Sequence, residues 1–390
     1  MNLWHLKVLL LFLLIHATES AFPETYQWIN IDCGAESYTL DTKNLINWET
    51  DTEYIQTGKN KNVTEMYTNI TMQMKTLRYF PENTSPNCYS FLTDGIEKYI
   101  VRASFYYGNY DGLMKPPTFN VSVNGFKWMT VVTNSSQDEE PIVIEGIFSP
   151  GADQMQVCLE SPQDGDVPFI SSLEVVQLPF NTYYRLIELR TAFLLQQRAT
   201  FGREEDVVYT GNFTGDRFNR IWKAKGFPNH TNMSTSLQYS YYYVDNQPPY
   251  AVLENAIEAP SLLDPIILSF NLSQTNQSLC AMLYFLEINN SRKVNDSREF
   301  QINIGGQKNT TTVNLQLGEP VLVTLYPEWV VGPVNITMSA VQGSTLPPMI
   351  NAMEVYTVME MYSVPSPTSE ASRALLSFTF LVLCYFYALL

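Results

Sequence analysis

The chain has 390 residues, of which 23 are Lys or Arg and 39 are Asp or Glu, giving a formal net charge of −16. That balance excludes nucleic acid as a partner, because phosphate binding needs clustered cations, and it disfavours attachment to acidic polysaccharide through bulk charge. Only 3 histidines occur, and two of them, His5 and His16, fall in the N-terminal apolar stretch. His230 is left alone, inside the sequon Asn229-His230-Thr231 and expected in an exposed loop; a Ser-His-Asp or Cys-His arrangement would have to use it, and a His-based zinc site needs several. The expectation is a chain without catalysis, metal or cofactor.

Residues 1–20 read as a secretory signal peptide. Lys7 is followed by the apolar run from Val8 to Ile15, which is too short to span a membrane, and Ser20-Ala21 fits the cleavage point. The far end mirrors it. A Pro/Ser-rich stretch, 362–373, leads into an apolar tail, 374–390, ending at Leu390. That order suits a GPI-attachment signal, with a retained single span or a truncated gene as alternatives. Either kind of anchor places the mature chain in the secretory pathway, on the extracellular face of the plasma membrane, tethered through its C-terminal tail.

Sequons agree with that route. Asn-x-Ser/Thr occurs at Asn62, Asn69, Asn83, Asn120, Asn134, Asn212, Asn229, Asn232, Asn271, Asn276, Asn289, Asn295, Asn309 and Asn335, more often than chance supplies, which predicts a glycosylated surface. Of the 5 cysteines, Cys384 lies in the tail. Cys33, Cys88, Cys158 and Cys280 remain as disulfide candidates or buried thiols, and three pairings are open.

Between the two ends the chain repeats itself. Residues 102–106 match 281–285, residues 119–125 match 300–306, and residues 168–175 match 348–355. The offset stays near about 180 residues, the signature of a duplicated unit. Period-two alternation in Phe119-Val121-Val123, Phe300-Ile302-Ile304 and Val321-Val323-Leu325 predicts strands. Turn formers such as Asn124-Gly125, Pro150-Gly151 and Gly305-Gly306 interrupt them at short intervals. The fold class expected is all-β, as two tandem β-sandwich domains at 27–180 and 181–361. One segment, Tyr183 to Gln197, spaces Leu186, Leu189 and Phe193 in helical register and reads as a helix or as a strand of the second domain.

At these residues the chain resembles the plant malectin-like ectodomain family of leucine-rich-repeat receptor kinases. The likeness rests on Ile29-Asn30-Ile31-Asp32-Cys33-Gly34, on 76–81 running to Asn87-Cys88-Tyr89, on 99–112, and on 156–159 with 168–174. In the second half, 216–222 and 248–252 continue it. The resemblance implies two jelly-roll-like sandwiches. Neither a leucine repeat nor a kinase motif occurs, which implies the binding half of a receptor, acting as decoy, co-receptor or adhesion module.

Sugar recognition uses aromatic faces against the apolar side of a pyranose, with amides and carboxylates on the hydroxyls. Tyr106, Tyr107 and Tyr110 cluster with Asn109 and Asp111 just after a strand, and Asp166 precedes Pro168. By its resemblance to animal malectin, Tyr110 keeps one aromatic of the glucose-disaccharide site and Asp166 the acid, while Asn109 replaces a second aromatic. Tyr107, Asn109, Tyr110 and Asp166 are therefore the candidate ligand-binding set for a cell-wall carbohydrate. The alternative is a secreted peptide or a receptor kinase ectodomain held in the cleft between the two domains, with no individual residues assigned to it. Separately, Tyr239, Tyr241, Tyr242, Tyr243 and Tyr250 form a second aromatic concentration, half of it expected in the core and half as an interface. The neighbouring acids Glu139-Glu140 and Asp164-Asp166 are expected on solvated turns rather than as a glycosidase pair.

Overall fold

The computed structural model describes residues 27–361 apart from 65–69, 82–86, 135–139, 162–165, 185–190, 209–214, 237–243, 273–276, 290, 292 and 306–309. The signal stretch, the Pro/Ser-rich segment and the apolar tail lie outside the described residues. Among the described residues, no helix is long and apolar enough to cross a membrane.

The protein is all-β, and one sheet runs through both copies of the repeat. Its strands follow the order β2 (Thr39–Asp41), β3 (Ile46–Thr50), β1 (Trp28–Asp32), then Ser172–Leu178, Lys98–Phe105, Ile142–Phe148, Thr191–Phe201, Ala352–Glu360, Gln277–Leu286 and Pro320–Val330. The two copies meet where Gly146 and Ile147 pair with Leu194 and Phe193. Alternation along the strands sorts the side chains between two cores. Tyr99, Val101, Ala103 and Phe105 pack in the first core, whereas Ile100 packs in the second. Period two sends neighbours to opposite faces, so this strand is buried along its whole length because both of its faces are covered. Each core is closed by a four-stranded outer sheet. The first is built from Asn87–Leu92, Gln154–Glu160, Thr118–Val123 and Phe126–Val132, the second from Ile266–Asn271, Pro333–Ala340, Arg298–Ile304 and Thr311–Leu315.

Strand register defines which residues of the two copies correspond. Glu174 pairs with Arg102 and with Asn30, and Glu354 pairs with Met282 and with Arg198. Arg102 is thus the counterpart of Met282, one residue away from the match of 102–106 with 281–285. A one-residue slip exchanges the faces of a strand, and the two strands carry different residues on the face toward the junction. The other two matches hold in register. Gly34 and Gly202 are also counterparts. Both have positive φ (79° and 75°), and a Cβ would lie 2.2 Å from the Leu77 carbonyl oxygen or 2.1 Å from that of Ala256. Each therefore needs glycine, both for its conformation and for the backbone that crosses it.

The segment that reads as helix or strand is a strand over Thr191–Phe201, and 185–190 lie outside the described residues. Ala192 and Leu194 face the first core while Phe193, Ala199 and Phe201 face the second. Cys88 and Cys158, opposite each other on neighbouring strands, form a disulfide, and Cys33 and Cys280 are buried thiols.

Candidate functional site

The tyrosine cluster after Lys98–Phe105 turns inward. Tyr107 and Tyr110 are each 4% exposed. The Tyr110 ring lies 5.6 Å from Phe169, 5.6 Å from Tyr107 and 5.4 Å from Tyr79, so its faces are already covered by other rings. The Tyr107 hydroxyl donates to Asp111 Oδ1 at 2.6 Å and accepts from the Lys115 backbone N–H. Asn109 adopts a left-handed φ of 48°, and its Oδ1 accepts from the Met114 N–H at 3.0 Å. Asp166 Oδ2 accepts from the Thr118 N–H at 3.4 Å. Tyr107, Asn109 and Tyr110 thus come together with Phe169 as a packed corner, and Asp166 anchors the start of a neighbouring strand. Of the second aromatic group, Tyr239, Tyr241, Tyr242 and Tyr243 lie outside the described residues, and Tyr250 opens the short helix Tyr250–Leu253. His230 sits edge-on to Phe227, with Nδ1 3.0 Å from the Pro228 carbonyl oxygen. Among the described residues, no cluster of His, Cys, Asp and Glu could hold a metal ion.

Between the two copies, the described residues form a buried charge network instead of an open cleft. Arg102 reaches Glu145 at 2.7 Å and Glu174 at 2.8 Å, and it donates to the Asn219 carbonyl oxygen at 2.6 Å. Arg198 Nε donates to Glu354 at 2.6 Å, while its Nη1 lies 2.7 Å from Glu145 Oε1 as an undirected charge contact. Three tyrosine hydroxyls, from Tyr183, Tyr284 and Tyr356, also donate to Glu354. Burial alone pushes a carboxyl up, but Arg198 and Arg102 outweigh it at Glu145, and Arg198 and Arg220 do so at Glu354, so both are held below the usual range. At Glu174 burial wins over Arg102, and its carboxyl is pushed up.

An open groove lies one strand beyond this junction. It has a volume of about 380 Å³ and is lined by Trp28, Asn30, Tyr38, Leu45, Ile46, Asn47 and Glu49, within the range of small-ligand sites. It forms because Ile29 and Ile31 of β1 point into the first core, which turns Trp28 and Asn30 to the other face. Asn30 is only 6% exposed, and its Nδ2 donates to the Asn47 carbonyl oxygen at 3.4 Å. Because that carbonyl can only accept, the amide orientation is set and Oδ1 is the remaining atom. Asn30 Oδ1 is buried and has no hydrogen-bond partner. Glu49 Oε1 accepts from the Tyr54 hydroxyl at 2.8 Å. Tyr38 is 59% exposed, and Leu45 at the lip holds a left-handed φ of 56°, a conformation that β- and γ-branched residues rarely adopt. Sequence reasoning passed over these residues, since no motif joins them. The usable signal was the polar Asn30 set between Ile29 and Ile31.

Comparison with known proteins places this architecture. The profile of the malectin-like domain matches residues 31–358. The chain belongs to the malectin-like family. Among malectin-like relatives, a probable LRR receptor-like serine/threonine-protein kinase of Arabidopsis thaliana is 30% identical over 362 residues, covering 88% of this chain and 39% of that protein. A second leucine-rich repeat receptor-like kinase of the same plant is 29% identical over 349 residues, with the same two coverages. The chain therefore spans about two-fifths of the length of these relatives. In three dimensions it is similar to the ANX2 ectodomain of Arabidopsis thaliana, with a TM-score of 0.71 at 19% identity, covering 86% of this chain and 97% of that one. It is also similar to a chain from the complex of the plant peptide RALF23 with FER and LLG2, with a TM-score of 0.67 at 17% identity, covering 85% and 95%. At those identities the likeness is one of malectin-like fold.

Proposed function

We propose that this malectin-like chain is an extracellular binding module, divided into domains at 27–180 and 181–361, that captures a secreted peptide beside the junction of its two copies. The observation that carries the reading is the contrast between two aromatic sites: Tyr107 and Tyr110 are buried in packing, while the groove of β1–β3 is open and keeps a buried acceptor unpaired. A fold neighbour crystallised with a plant peptide supports the same class of ligand. The chain travels the secretory pathway, carries glycans on its sequons and is held at the cell surface through the 374–390 tail. Nine of the sequon asparagines, among them Asn62, Asn232, Asn271 and Asn335, lie on described residues, and none of these is buried. It acts without catalysis, as a co-receptor or decoy beside receptor kinase ectodomains.

The test is direct. The full chain, displayed on plant cells, is incubated with the secreted peptide fraction. Retained peptides are identified by mass spectrometry and then titrated as synthetic peptides. Saturable binding of at least one of them supports the reading, and a full chain that retains none contradicts it. Release by a GPI-specific phospholipase tests the anchor in the same preparation.

A second reading, recognition of a cell-wall carbohydrate, draws on the Trp28 and Tyr38 rings of the same groove. Placed instead on Tyr107, Asn109, Tyr110 and Asp166, it requires the 106–112 loop to swing its rings out of the core. A glycan array of neutral oligosaccharides separates it from peptide capture.

A further inference from the structure

The groove of β1–β3 has a polarity that narrows what part of a peptide it takes. Of its lining residues, Asn30 carries an unpaired acceptor, Oδ1, that is itself buried, and Glu49 carries a half-buried carboxylate acceptor. Among the described residues, no Lys or Arg lines it. A buried acceptor left without a donor is uncommon in native structures and marks a place where a donor is missing. Trp28 and Tyr38 stand at the same groove, and indole and phenol faces attract cations. A sugar hydroxyl both donates and accepts, so this pairing of a carboxylate with an unpaired carbonyl oxygen suits a group that only donates and carries positive charge.

The second copy shows what fits at this position. The counterpart of Asn30 is Arg198, because Asn30 pairs with Glu174 and Arg198 with Glu354. The counterpart of Trp48 is Trp222, by the parallel pairings of β3 with β1 and of Lys223–Lys225 with Thr191–Phe201. In the second copy the Arg198 guanidinium lies 5.6 Å from the centre of the Trp222 ring and is bonded to Glu354. The first copy keeps the indole as Trp48 and the acid as Glu174, which Arg102 of the neighbouring strand takes. The arginine position becomes a short amide beside a groove whose own acid, Glu49, stands where the second copy has Lys223.

We infer that this groove receives the cationic end of an arginine or lysine side chain from the bound peptide. The inference rests on the peptide reading above and assigns that reading its anchor point. The Glu49 carboxylate accepts the N–H donors, Asn30 turns its buried Oδ1 to accept another, and the Trp28 and Tyr38 rings flank the charge. The net charge of −16 favours a basic partner. No sequon falls between residues 27 and 61, so glycans attached at the sequons do not start on these strands.

Calorimetric titration of the full chain tests this, with N-acetyl-Gly-Arg-Gly amide, its lysine analogue, its neutral citrulline analogue and cellotetraose as probes. Arginine and lysine peptides are expected to bind saturably, and the citrulline peptide about tenfold more weakly or worse, the ratio set by one charge-assisted hydrogen bond. Glu49→Gln and Tyr38→Ala, both at accessible positions, are each expected to weaken arginine-peptide binding about tenfold with an unchanged melting temperature, and Asn30→Asp to strengthen it. Equal binding of arginine and citrulline peptides overturns the inference, as does indifference to both weakening variants. Binding of cellotetraose with none of the basic peptides overturns it in favour of a saccharide site. Captured natural peptides that bind wild type and both variants equally sink the groove while the peptide reading stands. Arginine-peptide binding by a chain that retains no natural peptide sinks the peptide reading and leaves the cation site.

Discussion

The same β-position has been put to opposite uses in the two copies of this protein. In Thr191–Phe201, Arg198 is fully enclosed, bonded to Glu354, in contact with Glu145 and stacked on Trp222, whose Nε1 donates to Asp216. In β1, Asn30 leaves Oδ1 unpaired, and the Trp48 Nε1 is unpaired as well. Both copies commit charged groups to the junction, Arg102, Glu145 and Glu174 from the first and Arg198 and Glu354 from the second, but at this one position the first copy has a short amide beside an open groove. A buried polar group without a partner costs free energy; Arg198 Nη1 offsets that cost with the Glu145 charge at 2.7 Å, whereas Asn30 Oδ1 has no such charge bonded to it.

The largest expected effect breaks the second copy's arrangement. Arg198→Ala takes from buried Glu354 its ion-pair partner and leaves Glu145 to Arg102 alone, and should cost about 3–5 kcal/mol of stability, whereas Asn30→Ala should cost about 1 kcal/mol or less. Denaturant unfolding of the two variants measures both, and equal losses would erase the contrast. The next concerns a staple that only one copy has. Cys88–Cys158 joins paired strands in the first copy, and the corresponding pair in the second is Ile267 and Thr337. The double variant Cys88→Ala, Cys158→Ala should lose about 4 kcal/mol, the loop-entropy figure for a separation of 70 residues. Its hydrogen exchange should rise mainly in 87–160.

A third difference depends on pH. Asp32 corresponds to Thr200 by register. Burial pushes the Asp32 carboxyl up to about 6, against the pull of the Thr76 hydroxyl and with Asp51 adding to the rise. The folded state therefore holds this proton more tightly than the unfolded chain, whose carboxyl titrates near about 4. Above pH 6 the ionised group costs stability. That cost shrinks as the pH falls from about 6 towards about 4, where both states are protonated. Asp32→Asn should stabilise at pH 7, by about 3 kcal/mol at most, and should make no difference near pH 3.5. A stabilisation that is the same at both values would remove the titration from the explanation. The smallest effect is expected at the groove itself: Tyr38→Ala should change stability by less than about 0.5 kcal/mol, measured by thermal melting.

Much of this architecture was legible in the chain. Alternation at Phe119-Val121-Val123 and Phe300-Ile302-Ile304 follows directly from outer sheets with one face on a core. The duplication was legible from three separate matches, but not the exact register at Arg102. There the apolar alternation can be aligned one residue off, and only strand pairing with Glu174 decides it. The direction of the Tyr106–Tyr110 loop was illegible, because tyrosines after a strand serve equally as a stacking platform or as a core corner. Phe169, about sixty residues away along the chain, is what draws them in. The groove was hidden for a similar reason: its residues span three strands, and Asn30 is distinctive only once its unpaired oxygen is seen.

Hydrogen–deuterium exchange of the full chain, with and without a captured secreted peptide, tests the central claim most directly. Slowed exchange across 28–50, with the corresponding strands at 191–201 and 223–225 unchanged, is the predicted result. Slowing confined to the second copy, or an unchanged pattern with bound peptide, would contradict a peptide site in the first.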